Sequence, residues 1–184
     1  MVEPVSLQTV LTYLTLISIP VGVFYHIMTL RNTRKNQQLQ LETRQAQLFM
    51  QTYRETATAE MQTLAFEILA WEWTDIADFR EKYVEDTRKY GEWVSFMLHM
   101  NGIGILLKEK YIESELWYKM DQDGMAPFMW WFKFEPIIMG MREQMNNPAL
   151  MKYFEYYVEE MVRLRKLNEL PSKWSTEQGR FVNE

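Results

Sequence analysis

Twenty-six consecutive residues without a charge, Val5 to Leu30, limit what this chain can fold into more than any other feature. The stretch reads VSLQTVLTYLTLISIPVGVFYHIMTL, with Glu3 before it and Arg31, Arg34 and Lys35 after it. Roughly 20 mostly apolar residues let a helix cross the hydrocarbon core of a bilayer. The expectation is a membrane anchor over residues 1–30. Its threonines and serines can bond back to carbonyls of their own helix, which makes them cheap in lipid. Gln8 and His26 fall near the two ends, where the interface can solvate them. Pro20 and Gly22 lie near the middle and predict a kink. A secretory signal peptide would need a basic start and a shorter apolar core, and the chain has no Lys or Arg before Arg31. Basic residues favour the cytoplasmic side. They cluster only after the span, so the N-terminus is expected outside and the rest of the chain in the cytoplasm, giving a single-pass protein of the cell membrane.

All 20 Lys and Arg residues and all but one of the 25 acidic residues follow the span. The resulting domain is mildly acidic. Nucleic acid is therefore not an expected partner, because binding to its backbone depends on clustered basic groups that neutralise phosphates. The chain has no cysteine, which excludes disulfides, thiolate metal sites and cysteine nucleophiles. Seven glycines and six prolines stand against 14 methionines and 27 aromatic residues, pointing to an all-α fold with a bulky core.

Residues 31–58 lack Pro and Gly and are rich in good helix formers, so the anchor helix is expected to run on as a juxtamembrane helix. A thin stripe of Leu39, Ala46, Phe49 or Met50, Tyr53 and Ala57 would pack it on its own domain or on a second copy. A helical bundle is expected over residues 59–170. Ala59 to Trp73 is apolar on nearly all sides and reads as its most buried helix. Asp75 to Tyr83 forms a short helical piece. Asp86 or Thr87 caps a helix to Lys108 whose core stripe is Trp93, Phe96, Met97, Met100, Gly104 and Leu107. Gly102 and Gly104 suggest close packing. Another short helix spans Ile112 to Met120. Pro127 opens the next helix, and Pro136 should kink or break it. Asn147 and Pro148 read as the cap and first residue of a last helix with a stripe of Leu150, Phe154, Tyr157, Val158, Met161 and Leu164 or Arg165. Pro171 ends it. Residues 171–184 are expected as a flexible tail, with Trp174 and Phe181 able to dock.

Chemistry is scarce. His26 and His99 form no pair at metal-ligand spacing, and neither has the Glu three residues earlier that a di-iron bundle uses. Asp121-Gln122-Asp123-Gly124 begins like a calcium loop. An EF-hand needs its glycine at the sixth position, and here it comes at the fourth, so the segment reads as a turn. Gly102-Ile103-Gly104 lacks the third glycine and the preceding strand of a dinucleotide site. Glu60, Glu67, Glu72 and Glu135 lie in aromatic-rich helices, where a buried carboxylate could act as acid or base, or simply pair with Arg80 or Arg142. No catalytic residue, metal site or cofactor is expected. The run Phe128, Met129, Trp130, Trp131, Phe132, Phe134 puts large apolar groups on every side of one helix. It must be covered by the fold, by the membrane interface or by a partner for which Trp130 and Trp131 are anchors.

Several stretches together carry a resemblance. They are Thr43-Arg44-Gln45-Ala46-Gln47-Leu48-Phe49-Met50, Glu67-Ile68-Leu69 leading to Trp71 and Trp73, Gly102 to Leu107, and Phe134-Glu135-Pro136-Ile137-Ile138 with Arg142. On these residues the chain resembles small prokaryotic proteins with one N-terminal span and a helical domain of unknown function. The resemblance covers most of residues 5 to 165. It implies the architecture and a prokaryotic membrane setting, and no activity.

The functional expectation is an accessory subunit or adaptor that binds a larger membrane complex, or itself, through its span and aromatic-rich domain. Small and hydroxyl residues favour helix contacts inside membranes, which makes Thr12, Thr15, Pro20 and Gly22 candidate contact residues beside Trp130 and Trp131. The alternative is a membrane-associated enzyme that uses carboxylates within the bundle.

Overall fold

In a computed structural model that describes residues 7–175 and 180–182, the chain is built almost wholly of helices. It divides into two compact units, one up to Gln45 and the other from Ala46 onward. The boundary falls inside the first helix, α1, Leu7–Thr56.

In the first unit α1 runs through Pro20, and its first half is long and apolar enough to cross a membrane. Its described side chains are exposed: Leu14 is 60% exposed and Phe24 66%. The hydroxyls of Thr12, Thr15 and Thr29 donate to the carbonyls of Gln8, Leu11 and Tyr25, each at 2.9 Å. These three hydroxyls are thus satisfied within their own helix, as the sequence suggests.

The second unit begins with the last turns of α1. Of the expected stripe only Phe49 packs there. Ala46, Met50, Tyr53 and Ala57 are exposed, and Leu48, Thr52 and Thr56 turn inward with Phe49 instead. Thr52 is buried because its hydroxyl donates to the Leu48 carbonyl, leaving its methyl group for packing.

α2, Ala59–Leu69, starts at Thr58, whose hydroxyl accepts from the Met61 amide. It is shorter and less buried than its composition suggests: only Ala65 and Ile68 are fully inside, and Phe66 is exposed. The Lys133 ammonium explains the early end. It donates to the carbonyls of Leu69 and of Trp71, the latter at 2.6 Å, so it satisfies acceptors that a longer helix would have used itself. Trp71 then lies flat on Tyr83 at 4.1 Å and Trp73 on Phe134 at 5.1 Å. α3, Ile76–Phe79, is capped by Asp75 and continues as one π-helical turn, Arg80–Val84.

α4, Thr87–Lys108, is capped by Asp86 and buries Trp93, Phe96, Met97, Met100, Gly104 and Leu107, with Ile103 added. α5 is Ser114–Met120 and α6 is Ala126–Gln144. Pro136 does not break α6. Its missing amide and its clash with the preceding turn are outweighed by the fully buried Phe134, Ile137 and Ile138 around it.

α7, Lys152–Leu167, starts later than Asn147 and Pro148 suggest. Asn147 accepts from Ala149 in a turn instead. The helix start is capped from across the bundle: the Asn101 side-chain oxygen, on α4, accepts from the amides of Tyr153 and Phe154 at 3.1 and 3.2 Å. The end of the chain is also more structured than expected. β1, Lys173–Ser175, pairs antiparallel with β2, Arg180–Val182, putting Trp174 opposite Phe181. Both rings pack on Phe128, and the Arg165 guanidinium lies 3.5 Å over Phe181.

Candidate functional site

The helices of the second unit leave a cavity of about 360 Å³. Met61 of α2, Phe96 and Met100 of α4, Trp117 and Met120 of α5, and Met129 and Trp130 of α6 give it an apolar, deformable wall. Its polar edge comes from Thr56 at the end of α1, His99 of α4, Asp121 after α5 and Tyr157 of α7.

Two hydrogen-bond chains organise that edge. The Trp117 indole N–H donates to the Tyr157 hydroxyl at 2.7 Å, and that hydroxyl donates to Asp121 Oδ2, also at 2.7 Å. Indole can only donate, so the Tyr157 proton is committed to the carboxylate. In the second chain the Thr56 hydroxyl donates to the Thr52 carbonyl at 2.9 Å and meets His99 Nε2 at 3.0 Å. Since Thr56 has spent its one hydrogen, His99 Nε2 must be the donor, which places the ring proton on that nitrogen.

Burial sets the charges. It pushes the Asp121 carboxyl up to about 7, against the bonds from Tyr157 and the Ala126 amide that pull it down. It pushes the Tyr157 hydroxyl far up, helped by the adjacent carboxylate, and holds the His99 imidazole below its usual range and therefore neutral. No Lys or Arg lines the cavity among the described residues. Nor do the described residues hold any group of three or more His, Asp or Glu side chains placed to share a metal ion.

The sequence-derived candidates fall elsewhere. Thr12, Thr15, Pro20 and Gly22 are exposed on the first half of α1. Gln8, Leu11, Thr12, Thr15, Leu16 and Ile19 line a shallow groove there, and a side chain at Gly22 would meet open space. Trp130 and Trp131 are 5% and 4% exposed. Trp130 forms part of the cavity wall and donates its indole N–H to the Ala65 carbonyl, while Trp131 packs edge-on against Phe154. Of the aromatic run the fold buries Phe128, Trp130, Trp131 and Phe134 and leaves Met129 and Phe132 half-buried, so neither indole lies on the surface. Glu60, Glu67 and Glu72 are exposed and Glu135 is half-buried, and none reaches the cavity. Of the two arginines expected to pair, Arg142 binds Glu155 at 2.9 Å and Arg80 reaches Gln144. The carboxylate that is desolvated is Asp121, in the segment read as a plain turn. Its turn geometry is as expected, but its partner Tyr157 is 36 residues away and no local signal joins them.

A pH experiment isolates this carboxyl. A folded-state value near 7, above the ordinary aspartate range, means the folded protein binds that proton more tightly than the unfolded chain does. Asp121 therefore favours folding at acidic pH and loses that contribution as pH rises from about 4 to about 7. Asp78 and Glu160 lean the other way, their lowered values adding stability above the carboxylate range. Subtraction removes them: wild-type stability minus that of Asp121→Asn should fall across this window and level off above it. Urea titrations at pH 4.5, 6 and 8 measure it, and a flat difference would contradict a desolvated Asp121.

No curated protein and no solved structure matches the chain. A family profile described as a domain of unknown function, DUF4760, matches residues 16–161 and so takes in the second half of the apolar stretch together with the helical unit. The chain belongs to that family.

Proposed function

We propose that the protein is a membrane-anchored accessory subunit or adaptor, N-terminus outside and helical domain in the cytoplasm, that binds a larger membrane protein complex. The observation that carries this reading is the first half of α1. Its large apolar side chains are all exposed among the described residues, and its Thr12 and Thr15 hydroxyls are already satisfied. Such a helix is suited to lipid on one side and to a neighbouring helix on the side of small and hydroxyl residues. The groove along Gln8, Thr12, Thr15 and Ile19 is where that neighbour would sit. A second copy of this chain could occupy the same face.

Replacing residues 7–30 with a plain Leu-rich span should keep the protein in the membrane and release its partner in a native pull-down from mild detergent. Retention of every partner would refute the role of the span. Protease protection on sealed vesicles tests the orientation, and cleavage of the helical domain from outside would reverse it.

A membrane-associated enzyme is the second reading. In place of the four glutamates, it would rest on Asp121, the carboxyl that holds its proton near neutral pH.

A further inference from the structure

We propose that the cavity of the helical unit is a binding site for a small hydrophobic primary amine, its ammonium held by the Asp121 carboxylate and its apolar body by the methionine and aromatic wall. This proposal does not depend on the adaptor reading.

Size is the first argument. The cavity, about 360 Å³, falls in the range of pockets that take small molecules, roughly 300–1,000 Å³. The wall is the second. Met61, Met100, Met120 and Met129 surround the space together with Phe96 and Trp130. Unbranched thioethers adapt to irregular apolar shapes, so the wall favours a hydrophobic body without dictating its outline.

Charge chooses the head group. Asp121 is the only Asp or Glu among the lining residues, and no Lys or Arg lines the space to neutralise it. Of the elements around the cavity, α7 presents Tyr157, α4 presents neutral His99 and the end of α1 presents Tyr53. α2, α5 and α6 present Gln62, Trp117 and Met129, which carry no charge, and Asp123 on the same turn is exposed. A ligand cation would therefore supply the counter-ion this carboxylate lacks, whereas an anion would meet repulsion. The Trp117–Tyr157–Asp121 chain holds the carboxylate in place in advance, and the surrounding rings add attraction for an ammonium.

The test uses the full-length protein in a non-ionic detergent and three probes of matched shape: 4-phenylbutylamine, 4-phenylbutanol and 4-phenylbutyrate. Calorimetry at pH 8, corrected against empty micelles, should show the amine bound at least about tenfold more tightly than the alcohol and the acid not bound. The amine stays protonated from pH 6 to 8 while Asp121 ionises across that interval. Amine affinity should therefore rise about tenfold, and alcohol affinity should not move. Asp121→Asn keeps an acceptor for Tyr157 and should remove the preference for amine over alcohol. If that variant fails to fold, the wild-type pH series still decides, because only the amine should respond to ionisation of Asp121. Equal affinity for amine and alcohol, no binding of either, or a preference that survives Asp121→Asn would each overturn the proposal.

Discussion

Gly104→Val is expected to destabilise the helical unit by about 3 kcal/mol or more, at or beyond the upper end of ordinary overpacking. A Cβ at this position would lie 1.8 Å from the Tyr153 carbonyl oxygen and 2.4 Å from its carbon. Those are backbone atoms at the start of α7, so no side-chain rotation relieves the clash. The helices would have to separate, and with them the Asn101 cap on Tyr153 and Phe154, three residues earlier on α4. Gly102 supplies the control. A Cβ there meets nothing within 4 Å, so Gly102→Ala should gain about 0.5–1 kcal/mol from reduced backbone freedom in the unfolded chain. Urea denaturation of the two variants should therefore move in opposite directions. Equal effects would mean that α4 and α7 do not approach as closely as described.

Trp130→Ala should cost about 3–5 kcal/mol, as truncation of a large buried ring does. The indole is nearly inaccessible, packs on Phe96 with centroids 5.3 Å apart and donates to the Ala65 carbonyl from α6 to α2. Trp130→Phe keeps most of the ring packing and loses the hydrogen bond, so the smaller cost of about 1 kcal/mol applies there. Thermal melts followed by near-ultraviolet circular dichroism separate the variants. An alanine variant that melts with the wild type yet loses a bound partner would restore Trp130 as a surface anchor.

Much of the helical order was legible in local pattern. The core stripe of α4 follows from the spacing of Trp93, Phe96, Met97, Met100, Gly104 and Leu107, and the Asp86 cap from side-chain chemistry one turn away. In the stripe of α7 Phe154, Tyr157, Val158, Met161, Leu164 and Arg165 are buried, while Leu150, expected at its head, lies before the helix and is half-buried. Local pattern fails where a distant residue decides. α2 stops early because Lys133 takes the carbonyls of Leu69 and of Trp71 just beyond it, and α7 starts late because Asn101 caps it. Pro136 stays helical because the core holds both sides of it.

Sequence by itself determined the uncharged stretch of α1, the absence of cysteine chemistry and the predominantly helical character, because each depends on composition or on neighbours a few positions apart. Tertiary structure alone decided which polar groups matter. Glu67 and Glu72 sit beside aromatic residues in sequence and still face water, as Glu60 does, whereas Asp121 sits in a polar turn and faces the cavity. Desolvation depends on what surrounds a group in three dimensions, and for Asp121 those surroundings come from Tyr157 and helices far along the chain.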